Sequence, residues 1–296
     1  MIRGIASMAM TSGGWAFEEA SRNVHVLRLQ ADSQRDWRQD VLLLSDQHWD
    51  NPLCDRDLLR RHMDSAQEAG APIVSLGDQL CLMQGKFDRR SNKQGVRPEH
   101  QVNDYLDAVI DDFVEWHKPY KGQLALLAIG NHEQAIRKNH ETCPTARMAA
   151  GLRREGGITR AGGYTGWIRI MAQVGSQRSS LVLWYSHGSG GASPVTKGMI
   201  DFARAAEGID ADIMVMGHVH QKNIAKTRRA ALSRSNRATQ RQVHYVRTST
   251  YKDEFQQGIS GWHVERGQYP RPLGGWVMRL EWQDGIGLRA RFIEPE

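Results

Sequence analysis

The feature that most constrains this chain is a set of five short apolar runs, each ending in a cluster of Asp, Asn, His or Gly. Val41-Leu42-Leu43-Leu44 leads into Ser45-Asp46-Gln47-His48, and Ile73-Val74-Ser75-Leu76 leads into Gly77-Asp78. Leu124 to Ile129 leads into Gly130-Asn131-His132-Glu133, Leu181 to Tyr185 into Ser186-His187-Gly188, and Ile213 to Met216 into Gly217-His218-Val219-His220. Continuous apolar runs of this length suit strands buried on both faces. Between the early runs lie stretches with helical spacing. One is Asp55 to Ala69, closed by Gly70; the other is Glu99 to Trp116, with Val102, Leu106, Val109, Ile110 and Phe113 on one face. Strands alternating with helices imply an α/β fold with a largely parallel sheet. Further strands are expected at Val24 to Leu29, Trp167 to Ala172, Val243 to Val246, Trp276 to Leu280 and Leu288 to Phe292. In open α/β sheets, binding sites form beyond the carboxyl ends of the strands. Five strands would therefore deliver polar side chains to one edge, with Gly77, Gly130 and Gly217 letting the chain turn where each strand stops.

The residue types delivered there suit metal chemistry. Carboxylate, amide and neutral imidazole, with no thiolate among them, favour Mn²⁺, Fe or Zn²⁺ at high coordination number. The candidate ligands are Asp46, His48, Asp78, Asn131, His187, His218 and His220. They are too many for one ion and suit two if a carboxylate bridges them, with the ions on the order of 3.5–4 Å apart. A lone His or HxH is more often surface decoration or a satisfied core residue; five such clusters in order, each at a strand end, are not explained that way. Asn-His-Glu also recurs at Asn139-His140-Glu141, but there it follows Arg137-Lys138 in a polar stretch and reads as an exposed coincidence.

Taken together, D-x-H, G-D, G-N-H-[DE], H and G-H-x-H between Asp46 and His220 resemble the calcineurin-like metallophosphoesterase superfamily. The resemblance implies a two-sheet β-sandwich flanked by helices (an αββα arrangement), and the charge of the later segment adds a basic insertion before the C-terminal strands. It implies that Asp46, His48 and His220 hold one metal, that Asn131, His187 and His218 hold a second, and that Asp78 bridges. It further implies that His132 lies beside the scissile phosphate as general acid, with hydroxide activated between two divalent ions as nucleophile. Mn²⁺ is favoured, with Fe, Zn²⁺ or Mg²⁺ admitted. One departure is informative. The protein-phosphatase branch continues G-D-x-x-D-R-G, its second Asp orienting the catalytic His; here the run is Gly77-Asp78-Gln79-Leu80-Cys81. That argues against a Ser/Thr protein phosphatase and leaves Asp50, close in sequence to the first ligands, as the candidate orienter.

Charge bears on the substrate. The net charge is +6, yet Gln221 to Thr250 contains Lys222, Lys226, Arg228, Arg229, Arg234, Arg237, Arg241 and Arg247 and no acid. Such a patch suits an anionic partner, DNA or RNA first; a solvated arm is the other reading. The loop Met83 to Pro98 carries Lys86, Arg89, Arg90, Lys93 and Arg97 close after Asp78. Its cations could hold phosphates flanking the scissile one, or pair with acids on the next helix. Trp49 could stack a base at the mouth of the site or pack beneath a loop. The expected activity is phosphodiester hydrolysis on nucleic acid, as a nuclease or repair enzyme. The alternatives are a phosphomonoesterase or cyclic-nucleotide phosphodiesterase acting on small molecules, and a non-catalytic scaffold. Residues 1–23 read as a flexible N-terminus and 24–296 as a single domain, with the basic hairpin or cap at about 221–275. No run approaches the ~20 apolar residues of a membrane helix. Three widely spaced cysteines fit a reducing, cytoplasmic setting. Oligomeric state is not legible.

Overall fold

The structure is a computed structural model and describes residues 10–11, 13–82, 95–191, 193, 195–256, 258, 262–265 and 267–296. Thirteen strands are described: β1 (Trp15–Ser21), β2 (Val24–Ala31), β3 (Arg38–Leu44), β4 (Ile73–Ser75), β5 (Leu124–Leu127), β6 (Arg160–Ala161), β7 (Thr165–Val174), β8 (Gln177–Ser186), β9 (Ile213–Met216), β10 (Asn223–Leu232), β11 (Ala238–Arg247), β12 (Trp276–Gln283) and β13 (Gly287–Ile293). Five helices bear on the argument: α1 (Arg56–Glu68), α2 (Tyr105–His117), α3 (Asn131–His140), α4 (Pro144–Arg154) and α5 (Met199–Gly208). The strands form two sheets, a seven-stranded one in the order β1-β2-β7-β8-β9-β11-β10 and a six-stranded one in the order β13-β12-β3-β4-β5-β6. The chain is thus a two-sheet α/β protein flanked by helices.

Alternation of side chains across each strand explains the layers. On β3, Val41 and Leu43 enter a core between the sheets, where they meet Leu27, Ile170, Leu183, Val215 and Met278. Leu42 and Leu44 point the other way, into a second core with Leu59 and Met63 of α1, Val109 and Phe113 of α2, and Met148 and Leu152 of α4. A third core lies outside the seven-stranded sheet, where Trp184, Met214, Met216 and Tyr245 pack on Phe202 of α5. The continuous apolar runs are continuous because both faces of these strands are covered. β3 through β6 pair parallel, whereas the seven-stranded sheet is mixed, with β7–β8 and β10–β11 antiparallel.

Two expectations need correction. Trp15–Ser21 is not part of a flexible terminus: it forms β1, paired antiparallel with β2. Trp15, Ala16 and Phe17 are buried there, and the Trp15 indole Nε1 donates to the Gly70 carbonyl at 2.7 Å. The apolar start of this strand, Trp15-Ala16-Phe17, is buried, while its polar end, from Glu19 on, is exposed. The helix expected from Glu99 begins only at Tyr105, and Pro98–His100 forms a separate 3₁₀ turn. Val102 consequently faces solvent rather than the core. α1 follows its sequence closely: Asp55 caps it by accepting from the Leu58 N–H at 2.8 Å, and Leu59, His62, Met63 and Ala66 form its buried stripe.

The basic segment 221–250 is mostly a β-hairpin, β10–β11, joined to the seven-stranded sheet through parallel pairing of β11 with β9. Half of its cations are engaged internally. Lys222 pairs with Glu294, Arg229 with Asp210, Arg241 with Asp210 and Asp212, and Arg247 with Asp201. Lys226, Arg228, Arg234 and Arg237 are exposed. No described helix is long and apolar enough to cross a membrane.

Candidate metal centre

The ends of β3, β4, β5, β8 and β9 meet at one edge, and the seven residues singled out by sequence come together there. Asp46, His48 and His220 form one group with ligand atoms within 4.8 Å of one another, and Asp78, His187 and His218 form a second. Asn131, at the first turn of α3, joins the second group: its Oδ1 lies 2.7 Å from His218 Nδ1 and 3.0 Å from His187 Nε2. Asp78 Oδ2 sits 3.1 Å from His187 Nε2 and 3.7 Å from His132 Nε2. Asp78 also belongs to a third group, with His48 and His132, so it lies where the two halves of the centre touch. The second Asn-His-Glu, at Asn139-His140-Glu141, is exposed at the far end of α3.

These residues fit a divalent cation. Asp46 Oδ1 is buried without a hydrogen-bond partner. His48 Nε2 and His220 Nε2 face each other at 3.2 Å, and His220 Nε2 is 3.4 Å from Asp46 Oδ1. Burial alone would push the Asp46 and Asp78 carboxyls up. The surrounding histidines outweigh it, holding Asp46 below the ordinary carboxylate range and Asp78 well below it. Burial would likewise lower His187, but Asp78 and Asp46 raise it to about 10. That field of two buried carboxylates favours positive charge at this spot. The opposite ring nitrogens are held from behind, as metal-binding histidines are. His187 Nδ1 lies 2.9 Å from the Leu76 carbonyl, His218 Nε2 3.1 Å from the Gly190 carbonyl, and His48 Nδ1 3.2 Å from Cys81 Sγ. The buried clusters could therefore hold divalent metal ions.

Backbone conformation sets the geometry. Asp46, His48, Asp78, His218 and His220 all adopt positive φ, between 47° and 71°. Non-glycine residues in this left-handed region are strained, and such strain concentrates where a structure over-determines a functional site. The three glycines play different parts. Gly77 has φ +97° and makes the turn expected of it. Gly130 and Gly217 are instead needed for close approach: a Cβ on Gly130 would collide with Asp78 Oδ1, and one on Gly217 would lie 2.5 Å from Asp46 Oδ2.

Sequence reasoning missed the supports. Glu133 is fully buried and accepts from the N–H groups of Gly130 (2.9 Å), Leu80 (3.0 Å) and Asp78 (3.1 Å), tying the β4 and β5 loops together. Burial and the charge of Asp78 push its carboxyl up to about 8. The hydroxyl-rich run Thr248-Ser249-Thr250 straps down two ligand loops: Thr250 Oγ1 donates to the Asp46 carbonyl at 2.7 Å, and Ser249 Oγ to the His220 carbonyl at 3.0 Å. Arg247, one of the eight cations of the basic segment, is buried and donates to the Gly217 carbonyl at 2.8 Å. A lone arginine ending an apolar strand was the available signal. Trp49 is corrected as a base-stacking candidate: its ring is buried against Phe113, Trp116 and His100, with the Arg56 guanidinium 3.7 Å above it. Lys86, Arg89, Arg90 and Lys93 lie outside the described residues; Arg97 donates to the Cys54 carbonyl.

His132 sits at the rim, 11% exposed. Its backbone N–H donates to Asp78 Oδ1 at 3.0 Å, and its Nδ1 bonds the Cys81 carbonyl. A carbonyl only accepts, so the proton is on Nδ1 and Nε2 is directed at the centre. Asp50 does not contact His132; it accepts from the backbone N–H groups of Cys81 and Leu82.

No protein-family model matches the chain, and no curated protein matches it in sequence. Among solved structures, one similar chain is GAP50, the anchor in the inner membrane complex of Plasmodium (TM-score 0.42, 10% identity, covering 88% of this chain and 85% of that one). Another is a candidate 5'-nucleotidase from Staphylococcus aureus (TM-score 0.44, 13% identity, 87% of this chain and 54% of that one). A third is a predicted phosphoesterase from Streptococcus pneumoniae (TM-score 0.29, 11% identity, 87% and 99%).

Proposed function

We propose that the chain is a metal-dependent phosphoesterase of the calcineurin-like type, hydrolysing phosphodiesters of nucleic acid with two divalent ions, Mn²⁺ favoured. The observation that carries the reading is the pair of adjacent ligand groups meeting at buried Asp78, with His132 beside them. Two bound ions would polarise the ester and supply hydroxide at neutral pH. The chain's own residues supply the rest. Asp46, His48 and His220 would hold one ion; Asn131, His187 and His218 the other; Asp78 would bridge. His132, with its Nδ1 proton committed to Cys81, can give a proton only from Nε2. It would do so as an imidazolium, to the leaving oxygen. The support for nucleic acid is the exposed set Lys226, Arg228, Arg234 and Arg237 on the hairpin that begins three residues after His220.

The test is a substrate panel after chelation and metal add-back: a chromogenic diester and its monoester, cyclic nucleotides, and linear and circular DNA. The expected result is Mn²⁺-dependent turnover of diester above monoester, with DNA cut. His132→Ala should keep its metals and lose about 10²–10⁴-fold in turnover. Turnover confined to one small monoester or cyclic nucleotide would replace the nucleic-acid reading. No metal-dependent turnover of any ester would remove the enzyme reading altogether.

A further inference from the structure

His132 is oriented by a peptide unit that is itself held by a buried carboxylate. The peptide joining Cys81 to Leu82 has two ends. Its carbonyl oxygen faces His132 Nδ1, and its N–H donates to Asp50 Oδ2 at 3.0 Å. In a trans peptide these groups lie in one plane and point in opposite directions. Asp50 and His132 thus grip opposite sides of a single rigid plane. The preceding N–H, of Cys81, donates to Asp50 Oδ1 at 2.5 Å, and the Tyr105 hydroxyl donates to Oδ2 at 2.6 Å. Asp50 is 1% exposed and, through these three bonds, occupied on both oxygens. Leu82 holds φ +50°, a conformation an unsupported leucine would leave. Hydrogen bonds in series polarise one another, so a carboxylate on the N–H makes the carbonyl a better acceptor.

We propose that Asp50 is the positioning residue for His132, acting through the Cys81–Leu82 peptide. The carboxylate fixes the plane, the plane fixes the carbonyl, and the carbonyl fixes the ring with its proton on Nδ1 and Nε2 toward the phosphate. The Cys81 side chain serves a different group. Its Sγ backs His48 Nδ1 at 3.2 Å, with Asn51 Nδ2 on its other side at 3.4 Å. One residue therefore serves the proton donor through its backbone and a metal ligand through its side chain. The kinetic part of this inference rests on the phosphoesterase reading; the geometric part does not.

The two roles separate experimentally. Asp50→Asn presents an amide N–H₂ to a backbone N–H and loosens the plane. Its kcat on the chromogenic diester should fall about 10–100-fold, with KM and Mn²⁺ affinity within about twofold of the parent. Cys81→Ala keeps the carbonyl and loses the thiol behind His48; its metal Kd should rise about tenfold, while His132 keeps the Nδ1–H tautomer of the parent. ¹⁵N NMR of the imidazole rings in metal-free protein, with His132 assigned by His132→Gln, should show a fixed Nδ1–H tautomer in the parent and averaged tautomers in Asp50→Asn. If Asp50→Asn does not fold, Tyr105→Phe removes one donor to the carboxylate and should lower kcat about 2–10-fold, with the same NMR change in lesser degree. An unchanged tautomer with unchanged kcat overturns the proposal, as does a joint fall of kcat and metal affinity in Asp50→Asn. If the parent turns over no ester, the phosphoesterase reading fails and the NMR result alone decides the relay.

Discussion

Arg247 offers the sharpest test of how the fold supports the site. Its guanidinium is fully buried and donates to the carbonyls of Gly217 and Gly198 and to Asp201 Oδ2 at 3.2 Å. Arg247→Leu keeps much of the volume and removes every donor. The buried Gly198 carbonyl then loses its donor, at about 1–3 kcal/mol, while the Gly217 carbonyl keeps the Val219 N–H at 2.9 Å. Asp201 loses its cation but is 21% exposed, so water recovers part of that term. Breaking a buried pair by deleting one partner typically costs about 3–5 kcal/mol, and the lower part of that range is expected for Arg247→Leu. That is a large fraction of the ~5–15 kcal/mol total stability of a domain. The assay is urea unfolding of metal-free protein, read as a shift in midpoint at unchanged m. Arg247→Lys should fall between, since an ammonium keeps the charge but cannot span the same acceptors. Adding Asp201→Asn to Arg247→Leu should recover little, because the Gly198 carbonyl stays without its donor. A loss below ~1 kcal/mol for Arg247→Leu, or full recovery by Asp201→Asn, would refute the claim that the unsatisfied Gly198 carbonyl carries the cost. The Gly217 carbonyl immediately precedes His218, so Mn²⁺ affinity should fall along with stability.

Gly217→Ala should abolish measurable metal binding while leaving the far-ultraviolet circular dichroism unchanged, because its Cβ would lie 2.5 Å from Asp46 Oδ2; normal Mn²⁺ titration would contradict this. His117 is buried, and burial lowers its pKa to about 3. The folded-state value lies below the unfolded one of about 6.5, so its contribution is present above that pH and is lost as pH falls toward 3. The stability difference between the parent and His117→Leu should therefore shrink below about pH 6.5, by up to about 1.4 kcal/mol per pH unit; a constant difference down to about pH 4 would be the wrong result. Replacing Lys226, Arg228, Arg234 and Arg237 together by Gln should flatten the salt dependence of DNA affinity, by roughly one unit of slope for each phosphate contact removed. An unchanged slope would clear the hairpin of that role.

The strands, and the edge where their polar ends meet, were legible in the order of residues along the chain. Runs such as Leu42-Leu43-Leu44 admit few arrangements other than a strand covered on both faces, and order along the chain then carries Asp46, Asp78, Asn131, His187 and His218 to the same end. Tertiary structure alone decided what depends on contacts between distant segments. Trp15–Ser21 became a strand because β2 and the Gly70 carbonyl were there to receive it. Half of the cations of the basic segment are paired because Asp201, Asp210, Asp212 and Glu294 lie within reach, which linear charge counting does not register. Trp49 was drawn into an aromatic core on α2 rather than left at the mouth of the site. The partner of His132 was a main-chain carbonyl, identical in every residue, so no pattern of side chains could have announced it.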